Sequence, residues 1–405
     1  MSVIRAMGGK NKGDAYNASL VAFVADEPGR QAFEQSLGQL GVADSHVARG
    51  SIDAVIAYLG RVEKAPQRLI VDISGIDKPM AALDRLAEAC DPSVKVYVLG
   101  DTNDVNLYRA LLQAGVCDYR FKPLTVDALR TWVNHEDGQS VRQARSGKVV
   151  AVAGTRGGVG VTSVAAHLAR YLTAGNGLRR VVYLDMDYHG GAGSTLLGVA
   201  SNHALSELLR DIDRIDPEFL ERTLTTNDGR LFVLAFNQSY GDVFTSEPGA
   251  TAQLLEVLSQ HFHYVVVDLP EPGGMVANEV FGQASMACVV SDRSVHSARA
   301  LTRLVLHVQA RANAPVLHVL TNASHAPVRG RVDSQEFAKA VSHPIALDIP
   351  YDGKLPALAE DLGEPLPSGS EMAKAISKLA RMLTGEFAQE GRAKSKVAGW
   401  LRRSA

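Results

Sequence analysis

The feature that most constrains this chain is a glycine-rich stretch between a short apolar segment and a predicted helix. Residues 149–153 are all apolar and predict a buried β-strand, and residues 164–172 have the spacing of a helix. Three glycines lie between them: Gly157, Gly158 and Gly160. Backbone N–H groups can converge on an anion only where side chains leave room, and the start of a helix adds about half a positive charge. The stretch therefore predicts a phosphate-binding loop.

The loop resembles the variant phosphate loop of the ParA/MinD ATPases, which has the form K-G-G-x-G-K-[ST]. Here the chain reads R-G-G-V-G-V-T-S over residues 156–163. Arg156 replaces the signature lysine, and Val161 replaces the lysine that reaches the β- and γ-phosphates, so the loop keeps its shape and loses its main cation. By this resemblance, the Thr162 hydroxyl ligates Mg²⁺ and Arg156 acts in catalysis across a dimer. The residues expected to bind ATP are Gly157, Gly158, Val159, Gly160, Val161, Thr162 and Ser163.

Three further landmarks follow the loop in the order that ParA/MinD proteins have them. Asp187 is the second aspartate of a D-x-D motif, and the resemblance implies that it positions the attacking water. Asp268 follows an apolar run, like the Walker B carboxylate that holds Mg²⁺. Asn322 corresponds to the asparagine that recognises the adenine edge. A spare aspartate at a strand end is the plainer interpretation of either carboxylate alone, so the order of the landmarks carries the prediction.

The preceding residues alternate short apolar strands with helices, which predicts a parallel sheet covered on both faces. Acidic residues after the first strand, an aspartate after the third and a Lys-Pro pair after the last resemble the phosphorylation site of response-regulator receiver domains. These residues are Asp26, Glu27, Asp72 and Lys122. Gly100 stands where that family has Ser or Thr, so we expect a receiver-shaped interaction module. A solvated aspartate is the plainer interpretation of Asp72, and phosphorylation there remains an alternative.

A receiver-like domain before a MinD-like domain that lacks the phosphate lysine is similar to the organisation of the CpaE/TadZ family. The resemblance implies an ATP-binding localisation scaffold that dimerises with nucleotide and is at most a weak ATPase. It also implies a role in placing the assembly machinery of tight-adherence (Flp/Tad) type IV pili at the cell pole. The cofactors expected from it are ATP and Mg²⁺, and the expected partners are a second copy of the chain and pilus assembly and secretion proteins.

The expected fold class is α/β, with two parallel-sheet domains. The first is receiver-like (flavodoxin-like), and the second is a doubly wound P-loop domain of the ParA/MinD type. A length of 405 residues exceeds one ordinary core and favours two. The expected divisions are a flexible tail at 1–17, the receiver-like domain at 18–132, a polar linker at 133–147, the nucleotide-binding domain at 148–387 and a basic tail at 388–405.

Composition gives the chain no general attraction to nucleic acid or lipid. The formal net charge is −2, so any such contact must come from a local patch. The three cysteines have no metal-ligand spacing, and no apolar run is long enough to span a bilayer. We expect a cytoplasmic protein whose basic C-terminal tail gives at most weak membrane association at the pole.

One local patch is basic. Residues 293–332 contain six arginines, four histidines and no acidic residue. On a helix expected at 295–311, one face carries the following side chains: His296, Arg299, Arg303, His307 and Arg311. A solvated face is the plainer interpretation, and on that basis we expect no DNA binding. The alternative function is an active ParA-type positioning ATPase that binds DNA through this arginine stripe.

Overall fold

The computed structural model describes residues 18–62, 65–133, 146–174, 178–210, 220, 223–226, 229–241, 244–323, 325–326 and 332–386. The chain separates into two compact units between Ser146 and Gly147. The tails predicted at 1–17 and 388–405, and most of the linker predicted at 133–147, lie outside the described residues.

The N-terminal unit is a five-stranded sheet with helices between its strands. The strands are β1 (Leu20–Val24), β2 (Ser45–Arg49), β3 (Arg68–Asp72), β4 (Lys95–Gly100) and β5 (Asp118–Phe121). The described helices are α1 (Glu27–Gln39), α2 (Ile52–Leu59), α3 (Pro79–Ala89), α4 (Val105–Gln113) and α5 (Val126–Val133). All strand pairs are parallel, in the order β2-β1-β3-β4-β5.

The C-terminal unit contains a larger, eight-stranded sheet. Its strands are β6 (Lys148–Gly154), β7 (Val181–Asp185), β8 (Thr225–Thr226), β9 (Leu231–Leu234), β10 (Tyr264–Leu269), β11 (Met286–Ser291), β12 (Val316–Asn322) and β13 (Ile345–Ile349). Its described helices are α6 (Val161–Thr173), α7 (Gly193–Leu196), α8 (Ala204–Arg210), α9 (Ala250–His261), α10 (Gly274–Gln283), α11 (Val295–Gln309), α12 (Ser334–Val341), α13 (Leu355–Leu362) and α14 (Glu371–Thr384). The strand order is β13-β12-β11-β6-β10-β7-β9-β8, and only the short β8 runs antiparallel to its neighbour. The predicted α/β class with two parallel sheets is confirmed.

The central strands of this sheet are apolar runs because helices cover both of their faces. Alternate residues of β6 enter two separate cores, and Val150 and Val152 lie in the core beneath α6. Because β6 lies between β10 and β11 and all three are parallel, their carboxyl ends meet at one edge of the sheet. Loops that follow adjacent parallel strands form the usual ligand crevice of such folds.

The helix that carries the basic face is shorter than predicted. It ends at Gln309, so Arg311 lies beyond it, and its guanidinium donates to Asn278 and sits over the Phe281 ring of α10. None of the described helices is both long and apolar enough to cross a membrane.

Candidate functional site

The predicted phosphate loop joins the carboxyl end of β6 to the start of α6. Gly158 and Gly160 have φ values of +76° and +90°, a region that favours glycine. Gly157 does not have a positive φ, and among the described residues, apart from its two chain neighbours, no atom lies within 4 Å of the place where a Cβ would lie. Packing within the protein therefore does not require a glycine at 157. The open space over this backbone is what a phosphate group needs in order to reach the N–H groups.

Some side chains of the loop pack towards the core. Others lie on the side of the crevice, the region at the carboxyl ends of β6, β10 and β11. Val159 is fully buried, and Val161 packs against Gly154 and the core beneath α6. Thr162 and Ser163 lie in the first turn of α6 and are partly exposed. The valine at the lysine position thus serves the packing of the loop and supplies no charge to the crevice.

Arg156 is held by an ion pair within its own chain. Its Nη2 lies 2.5 Å from Oδ2 of Asp292, the residue that follows β11, and its Nη1 donates to the carbonyl of Gly157 at 3.1 Å. Asp292 is 2% exposed and also accepts from the Ser294 hydroxyl at 2.7 Å. Burial alone would raise the pKa of Asp292, but hydrogen bonds from Arg156 and Ser294 hold it well below its ordinary value. The positive charge of Arg156 is therefore compensated by a buried carboxylate.

Two buried carboxylates lie side by side at the same edge. Asp185 ends β7 and is paired in register with Asp268 on β10. The Tyr183 hydroxyl donates to Oδ2 of Asp268 at 2.8 Å, whereas Oδ1 is buried and has no hydrogen-bond partner among the described residues. Burial raises the pKa of both aspartates; for Asp185 the charge of Asp268 adds to the rise, and for Asp268 the hydrogen bond from Tyr183 and the nearby hydroxyl of Thr162 oppose it.

This arrangement fits a magnesium ion. Mg²⁺ prefers oxygen ligands and is commonly held by one or two carboxylates together with substrate phosphates. Asp268 supplies a buried carboxylate oxygen without a partner, and Thr162 supplies a hydroxyl close enough to stabilise that carboxylate. The two residues predicted as metal ligands are therefore brought together, although no group of three or more His, Cys, Asp or Glu side chains in the described part of the chain is placed to hold a metal by itself.

The other predicted catalytic carboxylate, Asp187, lies two residues beyond the end of β7 and is partly exposed. Its Oδ1 accepts from the backbone N–H groups of His189 at 3.3 Å and Gly190 at 2.9 Å. Its own N–H donates to Asp185 at 3.0 Å. These bonds fix Asp187 at the mouth of the crevice, and its role with water stays a prediction.

Asn322 ends β12 and reaches the loop directly. Its Nδ2 donates to the Val159 carbonyl at 2.8 Å, and a Cβ at Gly160 would overlap that nitrogen. That bond uses one of the two amide hydrogens and leaves Oδ1 as the acceptor of this side chain. An acceptor at this point suits an amino group, such as the exocyclic amine of adenine.

The N-terminal unit brings together three of its four predicted residues. The Lys122 ammonium contacts the buried carboxylate of Asp72 and lies 3.5 Å from Asp26 Oδ2. Asp72 also accepts from the backbone N–H groups of Ala25 and Ser74, each at 3.0 Å. Glu27 does not join this cluster, since its carboxylate pairs with Arg30 at 2.6 Å.

The space beside Gly100 in this unit is filled by a tyrosine. The Tyr119 hydroxyl donates to the Thr102 carbonyl at 2.6 Å, and a Cβ on Gly100 would lie 2.5 Å from the hydroxyl oxygen. A Ser or Thr at position 100 would therefore collide with the buried ring of Tyr119. The inward position of the Tyr119 ring is therefore possible only because residue 100 has no side chain.

A strand, a glycine-rich loop and a helix at the centre of a doubly wound parallel sheet define a P-loop nucleotide-binding fold. Among such folds, this chain has the ParA/MinD form. It is similar to a ParA family ATPase from Chlorobium tepidum TLS, with 20% identity over 58% of this chain and 98% of that chain and a TM-score of 0.53. It is also similar to MinD complexed with Mg-ADP from Pyrococcus horikoshii OT3, with 18% identity over 58% and 95% and a TM-score of 0.50.

A further solved structure, the pilus assembly protein CpaE from Caulobacter crescentus CB15, is 31% identical over 27% of this chain and 86% of that chain, with a TM-score of 0.25. The fold assignment does not depend on this partial match. No protein-family model matches the sequence. No curated protein matches it significantly.

Two residues of this region were not predicted from the sequence. Tyr183 lies inside an apolar run and has no pattern of its own, so its contact with Asp268 is visible only in the folded chain. Asp292 follows the apolar residues of β11 as Asp268 follows the apolar run of β10, so its position in the sequence was a usable signal. Its pairing with Arg156 spans 136 positions, which no local pattern indicates.

The Asp72 cluster generates a prediction about acid stability. Burial alone would raise the pKa of Asp72, but hydrogen bonds from Lys122, Ser74 and Ala25 bring it below its ordinary value of 3.8. A carboxylate with a lowered folded-state pKa stabilises the folded state above its ordinary pKa, and this contribution is lost as the pH falls through the folded-state pKa. We expect Asp72→Asn to lower the free energy of unfolding at pH 7 by about 1–3 kcal/mol and to flatten its decline below about pH 4.

Urea denaturation followed by the fluorescence of the buried Trp132 would measure this. The matched control is Asp127→Asn, which removes an 85%-exposed carboxylate paired with Arg130 and is expected to cost less than about 1 kcal/mol. An equal loss in the two variants would contradict the prediction.

Proposed function

We propose that this protein is an ATP-binding, ParA/MinD-like localisation scaffold that dimerises with nucleotide and hydrolyses ATP slowly at most. One observation carries the proposal. The loop keeps the backbone form of a phosphate site, while the position of its phosphate lysine is taken by Val161, which is partly buried against the core. The protein is expected to hold a nucleotide as a structural ligand more effectively than it turns one over.

The residues at the crevice suit Mg²⁺-ATP. The loop residues 157–163 would hold the phosphates through backbone N–H groups, Thr162 and Asp268 would hold the metal, and Asn322 would face the adenine amine. Bound Mg²⁺ would supply positive charge to the phosphates. The similar MinD from Pyrococcus horikoshii is described as complexed with Mg-ADP, which supports this choice of ligand.

Slow turnover follows from the placement of charge. Phosphoryl transfer is accelerated mainly by cations placed around the transferring group, and the loss of one such cation costs orders of magnitude in rate. Val161 supplies none, and the charge of Arg156 is compensated by Asp292. For Arg156 to act across a dimer, its guanidinium must leave a buried carboxylate, so this catalytic role depends on breaking the ion pair.

The cellular role rests on the resemblance of motifs and domain order to the CpaE/TadZ family. A receiver-like unit precedes the nucleotide-binding unit, and the loop R-G-G-V-G-V-T-S is similar to that family's loop. We propose that the protein helps to place Flp/Tad type IV pilus assembly at the cell pole, with pilus assembly and secretion proteins as partners. The receiver-like unit then serves as an interaction module, and the basic tail adds at most weak membrane association.

Titration of the purified protein with ATP or ADP in the presence of Mg²⁺, with mass followed by light scattering, tests the scaffold. We expect saturable binding of both nucleotides and a doubling of mass with ATP only. Binding without any change in mass would remove the dimeric scaffold. Failure of both nucleotides to bind would remove the whole proposal.

Replacement of the missing cation gives a sharper test. We expect Val161→Lys to raise the rate of ATP hydrolysis by about tenfold or more, because the lysine places charge on the β- and γ-phosphates. Val161→Met, which has a similar length and no charge, is the matched control and should leave the rate unchanged. A wild-type rate equal to that of Val161→Lys would contradict the proposal.

A second candidate function is an active ParA-type ATPase that binds DNA. The observation that favours it is the face of α11, where His296, Arg299, Arg303 and His307 are all exposed, while Leu301, Leu304, Val305 and Val308 are buried. Several cations on one exposed helix face can contact consecutive phosphates.

This candidate predicts ATP-dependent DNA binding that weakens steeply with salt. Replacement of Arg299 and Arg303 by Gln should weaken binding to every sequence and reduce the slope of log affinity against log salt by about 2, one for each lost phosphate contact. Lys339→Gln with Lys354→Gln removes the same charge from other exposed positions and is the control. No DNA affinity at low salt in a gel-shift assay would eliminate this function.

A further inference from the structure

Tyr183 is a polar residue in the middle of an apolar strand. It lies in β7, is fully buried, and belongs to the core beneath α6. Side chains alternate along a strand, so Tyr183 and Asp185 share one face of the sheet. Because Val266 pairs with Tyr183 and Asp268 pairs with Asp185, the Asp268 carboxylate lies on that same face, one step nearer the crevice.

The Tyr183 hydroxyl is fixed between two parts of the site. It donates to Oδ2 of Asp268 at 2.8 Å. On another side it lies against the first residue of α7, because a Cβ at Gly193 would overlap the tyrosine oxygen. The N–H of Gly193 donates to Asp185 at 3.2 Å. The hydroxyl is thus held between the Walker B-like carboxylate and the segment that follows the D-x-D motif.

This contact makes the two oxygens of Asp268 different. Oδ2 accepts the tyrosine hydrogen bond, and Oδ1 is buried without a hydrogen-bond partner among the described residues. A buried carboxylate oxygen that lacks a partner is costly, and such an atom calls for a ligand. A carboxylate can rotate about its last bond, so the donor on one oxygen decides which oxygen is left for that ligand.

We propose that Tyr183 is a positioning residue for the metal site: its hydroxyl holds Oδ2 of Asp268, so that Oδ1 is the oxygen presented to Mg²⁺ or to a water of its shell. This inference rests on the proposed function, because Mg²⁺ arrives with the nucleotide. Groups that hydrogen-bond to a metal-binding side chain orient it, and their removal commonly weakens metal binding by about 10–100-fold.

The effect is expected to be large in this chain because few other cations serve the phosphates. Val161 is uncharged and Arg156 is paired with Asp292. Nucleotide affinity therefore depends on the metal, and a poorly oriented Asp268 weakens both together. Tyr183 does not touch the nucleotide in this scheme and acts only through Asp268.

Tyr183→Phe removes the hydroxyl and keeps the ring that fills the core. The measurement is the fluorescence of a methylanthraniloyl derivative of ATP, titrated with Mg²⁺ at fixed nucleotide. We expect the Mg²⁺ concentration at half-saturation to rise about 10–100-fold and the affinity for the Mg²⁺-nucleotide to fall by the same factor, while nucleotide binding in EDTA stays unchanged. A purely structural role would lower the melting temperature and leave the Mg²⁺ midpoint in place.

Two controls define the result. Tyr264→Phe removes a hydroxyl from the same core at the opposite end of the strand that carries Asp268, and its Mg²⁺ midpoint should match the wild type. In an Asp268→Asn background, Tyr183→Phe should have no further effect, because the two act as one unit. If the Phe variant does not fold, Tyr183→Leu carries the same expectation with a smaller side chain.

The outcomes separate this inference from the proposed function. If the wild type binds no nucleotide at any Mg²⁺ concentration, the proposed function fails. If the wild type binds and Tyr183→Phe has the same Mg²⁺ midpoint, or shifts it equally in the Asp268→Asn background, the positioning role of Tyr183 is overturned.

Discussion

The ion pair between Arg156 and Asp292 sets the electrostatics of the crevice in the C-terminal unit. Asp292, Asp268 and Asp185 lie at the carboxyl ends of parallel strands, and all three are buried. Such charges are tolerated only when they are paired or hydrogen-bonded. Asp292 forms an ion pair with Arg156 of the loop. Asp185 accepts hydrogen bonds from two backbone N–H groups, and Asp268 accepts one from the Tyr183 hydroxyl.

That distribution has a consequence for any triphosphate that enters. In an ordinary P-loop a lysine would offset part of the ligand's charge, but here the corresponding side chain is the packed Val161. The ligand's negative charge would therefore meet buried carboxylates unless it arrived with a divalent cation. Strong dependence on Mg²⁺ and slow chemistry have one origin in this view, since both follow from the lack of an uncompensated cation at the loop.

How far the site can be predicted from the sequence depends on the separation along the chain of the residues that interact. The loop, Asp187, Asp268 and Asn322 each stand at or just beyond the end of an apolar run, and the order of these landmarks, together with the resemblance to ParA/MinD proteins, selected them as candidates. Arg156 and Asp292 are 136 positions apart, and only the finished sheet shows that they meet. Tyr183 was hidden for another reason: its ring satisfies the apolar pattern, and only its hydroxyl makes the contact with Asp268.

The same limit applies to secondary structure. The strand β2 (Ser45–Arg49) is a half-buried edge strand with a weak apolar pattern, and the sequence did not indicate it. The helix α11 ends at Gln309, and the side chain of Arg311 beyond it packs on Phe281 and Asn278 of α10. In the N-terminal unit, Glu27 lies next to Asp26 in sequence, but its carboxylate forms an ion pair with Arg30 one helical turn away. Each departure comes from a tertiary contact or a neighbour on a helix face.

The two units share one physical feature although their sites differ. In each unit, the cation predicted to serve a phosphate group is paired with a buried carboxylate of its own chain: Arg156 pairs with Asp292, and Lys122 pairs with Asp72. A cation already held by a buried carboxylate must exchange partners before it can stabilise an incoming phosphoryl group, and that exchange opposes turnover. Stable internal pairs of this kind preserve shape and surface, as the proposed scaffold and interaction module require.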